Sequence, residues 1–260
     1  MADLETVSAT ATGVPAEMII GTPAQFTLRR AVDNNGPSAP VDATLTTTGS
    51  ASPGASVVPA MVTKAEVAMA KDSPRTVEET VTVNCAAPGP HTLMVVAGIR
   101  PASADDVDPN LANNEKSVSV TIDCVVPVAV NIKPHHTDNE FSFSTSDVNV
   151  GLLTTRAGEY GLPLAFDATT ADVASVRFGP RATTFAGGGA ADRRGKIDAA
   201  DSWERSDEAL RDGDADLKFR FVRTETGIPS GTSEACLKGT ATGPAGSFKF
   251  FGCDTIVIHP

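Results

Sequence analysis

The four cysteines are the feature that most restricts what this chain can fold into. Cys85 ends the segment 80–85 and Cys124 ends the segment 116–124, and in both segments apolar residues alternate with polar ones. Alternation with a period of two predicts β-strands, and each cysteine falls on the apolar side of its strand. We therefore predict a disulfide between Cys85 and Cys124 inside the core of a first domain.

The other two cysteines predict a second bridge. Cys236 and Cys253 lie symmetrically about the turn signal Gly-Pro-Ala-Gly at 243–246, so a hairpin folded at that turn places their sulfurs opposite each other. Disulfides contribute about 2–4 kcal/mol each and form in oxidising compartments. The expected localisation is therefore extracellular or at the cell surface. The alternative is a cytosolic protein with four buried, unpaired thiols.

The composition limits the classes of partner. The formal net charge is -11, and no stripe of Lys and Arg is available to neutralise phosphates, so nucleic acid is not an expected partner. No stretch approaches the ~18 apolar residues that span a bilayer. No signal peptide is visible, so Met1 is either a native cytoplasmic start or the start of a mature secreted chain.

Turn signals divide the chain into short strands. They recur at strand-length intervals in the first half, for example at 34–37 and 87–90, and predict six to eight strands there. The segment 61–71 has the Ala, Lys and Glu content of a helix, but strand and loop is the favoured interpretation. The predicted fold is all-β, with two β-sandwich domains in series over residues 1–125 and 126–260.

The first domain is similar to a known family. The segments 32–38 and 41–45, and above all the ending Asp-Pro-Asn-Leu-Ala-Asn-Asn at 108–114 with the strand after it, resemble the bacterial cell-adhesion-related domain. The resemblance covers nearly all of residues 3–123. It implies an immunoglobulin-like fold that acts as a spacer or adhesive module, and it implies no chemistry. The Asn and Asp residues of the ending suit a loop, since they tolerate left-handed backbone and form local hydrogen bonds.

The second domain follows a short connector at 125–128 that we expect to be stiff. It resembles a poorly characterised β-domain of secreted bacterial proteins that opens with Val-x-Ile-Lys-Pro, here at 130–134. The matched order continues through the segments 153–155, 166–170, 176–180, 212–217, 226–228, 235–237 and 252–254. This chain departs from the pattern with His135 and His136, where small residues are usual, and with an altered acidic loop.

The acidic loop is the strongest chemical candidate. Asp212, Asp214 and Asp216 alternate around a glycine, and calcium takes six to eight oxygen ligands that such a loop supplies. The loop lacks the bidentate Glu of an EF-hand. Further acids precede it at Asp198, Asp201, Glu204, Asp207 and Glu208. The alternative is a solvated acidic loop with no bound ion.

Other candidate sites are weaker. His135 and His136 with Asp138 and Glu140 are possible transition-metal ligands, but adjacent histidines on a strand point to opposite faces, so a polar loop is favoured. No Gly-x-Ser-x-Gly elbow, His-Glu-x-x-His motif or phosphate loop is present, so no enzyme activity is predicted. A glycosidase that uses paired carboxylates is an alternative. One Trp and one Tyr, however, provide few aromatic side chains to line its sugar-binding subsites. Trp203 is interpreted as a packing residue.

These observations favour a non-catalytic structural or adhesive protein, a subunit of a surface fibre, sheath or layer. Its partners are expected to be proteins, either further copies of the chain or a cell-surface protein. One alternative is a calcium-dependent carbohydrate-binding module of a secreted protein. Another is a phage virion decoration protein, which fits the paired cysteines less well.

Overall fold

The computed structural model describes residues 1–37, 40–136, 139–142, 144–195, 198–201, 203, 205 and 212–259. The chain divides into two compact units, Met1–Cys124 and Val125–Pro260. Strands dominate both units. The described residues include a single-turn α-helix, α1 (Arg181–Phe185), and among them no helix is long and apolar enough to cross a membrane.

Unit 1 consists of two antiparallel sheets. Its strands are β1 (Leu4–Thr12), β2 (Glu17–Ile19), β3 (Ala24–Asn34), β4 (Val41–Ala51), β5 (Ala55–Val58), β6 (Met61–Met69), β7 (Arg75–Cys85), β8 (Gly89–Pro101) and β9 (Glu115–Pro127), whose last three residues belong to unit 2. The sheet orders are β1-β3-β7-β5 and β9-β8-β4-β6, and β2 pairs with β9.

This strand order is that of an immunoglobulin-like sandwich. Strands β1, β3, β7 and β5 occupy the places of A, B, E and D, while β9, β8 and β4 occupy those of G, F and C. The predicted all-β fold is confirmed. The Cys85–Cys124 disulfide joins β7 to β9, with the Cα atoms 5.9 Å apart, and therefore links the two sheets. Antibody domains link the B and F strands instead.

The core of unit 1 lies between the sheets. Alternate residues of each strand point inward, so that Val32 of one sheet meets Leu45 and Ile99 of the other in one buried cluster. Fully burying such a side chain contributes about 1.5–3 kcal/mol. The segment with helix-like composition is strand β6, because its residues pair with β4, for example Ala65 with Thr44.

Unit 2 is also built from facing sheets. Its strands are β10 (Val130–Ile132), β11 (Glu140–Ser142), β12 (Asp147–Leu152), β13 (Arg177–Gly179), β14 (Ala190–Ala191), β15 (Ala199–Ala200), β16 (Asp216–Val222), β17 (Glu234–Gly243), β18 (Gly246–Thr255) and β19 (Val257–His259). One sheet has the order β10-β12-β16-β15, another begins β14-β13-β17-β18, and β11 pairs with β19 in parallel. Short 3-10 turns cover Glu159–Gly161, Ala168–Thr170, Val173–Ser175 and Arg223–Glu225.

Aromatic side chains fill the space between these sheets. Phe178 of β13 stacks on Phe221 of β16 with the ring centroids 4.9 Å apart. The expected connector is itself strand, since Val126 and Pro127 pair in parallel with Phe250 and Phe251 of β18. Its Val-rich sequence suits an extended, paired backbone better than a free linker.

The C-terminal hairpin has the predicted register. Cys236 pairs directly with Cys253, their Cα atoms lie 4.0 Å apart, and the disulfide is formed. Gly243 and Gly246 close the turn. Next to the bridge, Gly252 allows β18 to approach the Val128 carbonyl oxygen so closely that a Cβ atom would collide with it.

Candidate functional site

The acidic loop before β16 is shaped by hydrogen bonds from its own backbone. Asp201 Oδ1 accepts from the amides of Asp212 (3.2 Å) and Gly213 (3.5 Å), and Asp212 Oδ1 accepts from the Asp214 amide (3.2 Å). Gly213 has a φ of 104°, a conformation that side chains disfavour. The turn thus depends on the glycine and on the carboxylates of Asp201 and Asp212, both of which precede it in the chain.

Asp216 anchors the loop to unit 2. Its side chain has no solvent exposure, Oδ1 accepts from the Thr154 amide at 2.9 Å, and Oδ2 accepts from the Trp203 amide at 3.3 Å. A carboxylate that accepts backbone N–H bonds is stabilised in its charged form. Asp216 therefore serves the fold by anchoring the loop.

Among the three carboxylates of Asp212, Asp214 and Asp216, that of Asp214 experiences unfavourable electrostatic surroundings. Burial, the charges of Asp212 and Asp216, a hydrogen bond to Asp212 and the Glu159 charge together raise the pKa of Asp214 to about 6. Its Oδ1 atom is buried and has no hydrogen-bond partner among the described residues. A cation bound beside these carboxylates would relieve the repulsion.

The three predicted calcium ligands do not converge on one point. In the described part of the chain, the one group of three His, Cys, Asp or Glu side chains with ligand atoms all within 4.8 Å is Glu234, Cys236 and Cys253. Its two sulfurs are joined in the disulfide, so it is not a metal site. The other predicted acids Glu204, Asp207 and Glu208 lie outside the described residues.

The single Trp of the chain packs beside this loop. The Lys218 ammonium lies 3.9 Å from the centroid of the Trp203 ring, and His135 contacts that ring edge-on with centroids 5.1 Å apart. Arg205 lies over the Tyr160 ring at 5.2 Å. The side chains of Lys218 and His135 therefore already contact the Trp203 ring, which agrees with its interpretation as a packing residue.

The side chains of the two adjacent histidines have different neighbours. His135 contacts Trp203, whereas His136 lines a cavity of about 140 Å³ with Glu140. Glu140 pairs with His259, whose Nε2 lies 3.2 Å from the carboxylate. Asp138, the remaining residue of that hypothesis, lies outside the described residues. This arrangement fits the polar-loop interpretation.

Unit 1 contains a Ser–His pair that sequence reasoning missed. The Ser52 hydroxyl lies 3.3 Å from His91 Nδ1, and His91 Nε2 lies 2.9 Å from the Ala87 carbonyl oxygen. Since that carbonyl only accepts, Nε2 is the donor of this second bond. Ser52 Oγ also accepts from the Thr92 amide at 3.2 Å. With a backbone carbonyl as the third member, the pair ties the start of β8 to the preceding turn. No sequence motif marks it.

Strand β6 forms an exposed edge of unit 1. It ends the order β9-β8-β4-β6, and within the described chain it pairs with β4 alone. Met61 and Val67 of this strand are 62% and 63% exposed. Val58, at the end of the neighbouring edge strand β5, is also exposed, and a cavity of about 200 Å³ is lined by Val57, Val58 and Val62. Exposed apolar groups along an unpaired edge are typical of an interaction surface.

Comparison with known proteins adds no family assignment. No family model matches the chain, and no curated protein matches it. Among solved structures, the CARDB domain of the PF1109 protein from Pyrococcus furiosus, determined in complex with di-metal ions, is 12% identical, with a TM-score of 0.29 over 48% of this chain and 94% of that one. Domains 4 and 5 of the S-layer protein SbsC are 18% identical, with a TM-score of 0.23 over 48% and 54%.

An enzyme is also among the similar structures. Red sea bream transglutaminase is 11% identical, with a TM-score of 0.29 over 97% of this chain and 31% of that one. All three identities are below 25% and all three TM-scores below 0.5, so these likenesses decide neither the partner nor the chemistry of this chain.

Proposed function

We propose that this chain is a non-catalytic structural or adhesive protein that acts outside the cell through protein–protein contacts, as a subunit of a surface fibre, sheath or layer. The observation that carries the proposal is the unpaired edge of β6 with its exposed Met61. Two disulfides support an oxidising location.

The backbone of β6 offers a template for a further strand. The Gly49 amide donates to the Ala60 carbonyl, and in an antiparallel pair every second residue points to the same neighbour. By that alternation Val62 and Lys64 bond to β4, whereas the N–H and C=O groups of Thr63 and Ala65 point away from it. An incoming strand can bond to these outward groups, as in β-augmentation.

The C-terminal end of β6 is not free to pair with a further strand. Arg75 donates to the carbonyl oxygens of Val67 and Ala68, both at 2.7 Å, and the register against β4 shifts between Val41 and Ala43. Irregularities and charged side chains of this kind protect sheet edges. The free segment is therefore Met61–Glu66, about 20 Å of extended strand at ~3.3 Å per residue.

A proline at an outward-facing position tests the proposal. We expect the parent protein to associate in sedimentation velocity as its concentration rises, and to form ordered assemblies in electron micrographs. Thr63→Pro removes an outward N–H without removing a bond to β4, so it should abolish association while the melting temperature changes little. Thr63→Ala, the matched control, keeps the N–H and should associate normally. A parent protein that stays monomeric at high concentration, with and without calcium, would refute the proposal.

The second candidate function is calcium binding at the acidic loop. The observation that favours it is the half-buried Asp214 carboxylate, which lies among like charges and has its pKa raised to about 6. Calcium at a concentration well above its Kd would stabilise the folded state through linkage, by about 2.7 kcal/mol at a hundredfold excess over Kd. A chelator should then lower the melting temperature. An unchanged melting temperature in the chelator, and in an Asp212→Ala, Asp214→Ala, Asp216→Ala triple variant, would contradict it.

A further inference from the structure

Strand β6 presents a short edge that is free in the described chain and limited at both ends. The residues whose backbone groups point outward are Met61, Thr63 and Ala65. They alternate with residues that bond to β4. Before this segment, Pro59 is in phase with them but has no N–H to donate. Beyond it, the Val67 carbonyl oxygen already accepts from Arg75 at 2.7 Å. Thr63 is therefore the midpoint of the edge that is available for pairing.

An edge with this symmetry is matched by a second copy of itself. In an antiparallel pair, a residue with outward groups must lie opposite another such residue, and the two exchange both hydrogen bonds. If Thr63 lies opposite Thr63 of the second copy, Met61 lies opposite Ala65 and Ala65 lies opposite Met61. All the outward groups of both segments are then paired.

Neighbouring registers pair fewer of these groups. The next register in one direction brings Val67, whose carbonyl oxygen is occupied, into the pair. The same register places Lys64 opposite Lys64 of the second copy, and like charges directly opposite each other are destabilising. The next register in the other direction places Ala65 opposite Pro59, which lacks an N–H. The register centred on Thr63 is therefore favoured.

The side chains of the segment also suit a second copy. Met61 is 62% exposed, and in this register it lies on the same sheet face as Ala65 of the second copy, so part of its apolar surface leaves water. Lys64 pairs with Glu66 of its own strand at 3.2 Å. The segment is thereby locally neutral, whereas the whole chain has a formal net charge of -11 that repels other copies. This edge is therefore a place where two copies can approach each other.

We propose that β6 pairs with β6 of a second copy, antiparallel and about a two-fold axis at Thr63, which joins the β9-β8-β4-β6 sheets of both copies into one. This inference rests on the proposed self-association and gives its geometry. A two-fold interface is isologous, so it uses the edge of both copies and closes at a dimer. The repeating unit of a fibre or layer is then this dimer, and a separate surface connects one dimer to the next. A single strand pair is small beside the ~800 Å² per partner of a stable interface, so the dimer is expected to be weak.

The test is oxidative cross-linking of cysteine variants of the full chain. All four native cysteines are in disulfides, so an introduced cysteine supplies the free thiol. Thr63→Cys places two thiols on directly opposite residues, whose Cα atoms lie about 5.5 Å apart in such a pair and thus within disulfide range. Mild oxidation should convert this variant to a covalent dimer.

Lys64→Cys is the matched control, because Lys64 is exposed like Thr63 and adjacent to it. In the proposed register Lys64 lies diagonally to its own copy at about 7–8 Å, which is too far for a disulfide. Its cross-linking should be at least about tenfold slower than that of Thr63→Cys, since only random encounters bring its thiols together.

A mixture keeps the test valid if Thr63→Cys fails to fold. Val62 lies directly opposite Lys64 of the second copy in this register, so equimolar Val62→Cys and Lys64→Cys should form a mixed covalent dimer. Neither of these two variants should cross-link alone at a comparable rate.

Three outcomes would contradict the proposal, and they separate it from the proposed function. Cross-linking of Lys64→Cys as fast as that of Thr63→Cys would overturn it, because another register or random collision is then responsible. Absence of cross-linking in both Thr63→Cys and the mixture, when the parent protein associates in sedimentation velocity, would overturn it and leave the proposed function standing. A parent protein that stays monomeric at the same concentration would overturn both.

Discussion

Arg30 on β3 forms a buried ion pair with Glu79 on β7, inside the sandwich of unit 1. The Arg30 side chain is 1% exposed and also donates to the carbonyl oxygens of Thr46 (2.8 Å) and Gly98 (3.1 Å) in the opposite sheet. The other Glu79 oxygen accepts from the Thr47 hydroxyl. One guanidinium thus connects both sheets through hydrogen bonds.

Removal of the Glu79 carboxylate should be strongly destabilising. Glu79→Ala leaves the Arg30 charge buried without its counter-ion, and breaking such pairs costs about 3–5 kcal/mol. Urea unfolding of the oxidised chain measures the change. Glu78→Ala is the matched control, because Glu78 pairs with Arg29 at 3.8 Å with both side chains about 60% exposed. That pair should contribute less than about 1 kcal/mol. Equal losses in the two variants would show that the burial of Arg30 has no energetic consequence.

The two disulfides should differ modestly in their stabilisation. Cys85–Cys124 spans a sequence separation of 39 and Cys236–Cys253 a separation of 17. Loop-closure entropy then predicts losses of about 4 and about 3 kcal/mol when each pair is replaced by alanine. Hydrogen exchange should show the loss of protection in β7 and β9 for the first variant and in β17 and β18 for the second. A variant that keeps the parent's protection pattern would contradict the expected stabilisation.

The fold was predictable where periodicity and turn residues agree. Residues 80–85 and 116–124 alternate cleanly, so the parity of Cys85 and Cys124 was readable and their bridge followed. The pairing of Cys236 with Cys253 was predicted from their equal spacing about the glycine turn at 243–246. The segment 61–71 was ambiguous, because its composition favours a helix, while the pairing of residues 61–69 with β4 is a tertiary effect that a local pattern does not contain.

The site chemistry was less readable, because it depends on residues far apart in sequence. Alternation of Asp212, Asp214 and Asp216 suggested three equivalent ligands, yet Thr154 and Trp203 engage Asp216 and make it an anchor. The Arg30–Glu79 pair spans 49 residues and gave no local signal. Such roles are set by which strands become neighbours, and single-sequence patterns do not encode that.

The raised pKa of Asp214 predicts an unusual pH dependence. Because the folded-state pKa is about 6 and the ordinary value is 3.8, the folded state binds the proton more tightly than the unfolded state. Its contribution to stability is therefore fully present below about pH 4 and is lost as the pH rises through about 6. In the absence of calcium, Asp214→Asn should unfold with a free energy higher by on the order of 1–2 kcal/mol at pH 7.5.

Urea unfolding at several pH values measures this difference between the parent and the Asp214→Asn variant. The two proteins should converge near pH 4, where the parent's Asp214 is protonated. Calcium should reverse the order at pH 7.5, because it stabilises only the chain that retains the carboxylate. Parallel pH profiles across the whole range would show that Asp214 titrates normally.

Terbium luminescence tests the acidic loop through its own fluorophore. The chain has one Trp and one Tyr, both in unit 2, and the Trp203 amide donates to Asp216. A lanthanide takes the same oxygen ligands as calcium, so a Tb³⁺ ion held by this loop lies close enough to the indole to be excited through it. Sensitised emission should saturate with added Tb³⁺, fall when Ca²⁺ competes, and be lost in Asp214→Asn.

Glu225→Gln is the charge-matched control. Glu225 is an exposed acid of the same unit, so this variant should keep the signal. Emission that survives in Asp214→Asn but fails in the Glu225 variant would locate the ion elsewhere in unit 2. Absence of sensitised emission from the parent would leave Asp212, Asp214 and Asp216 as a solvated acidic loop, and the raised pKa of Asp214 would then be a cost of the turn that Gly213 and Asp201 build.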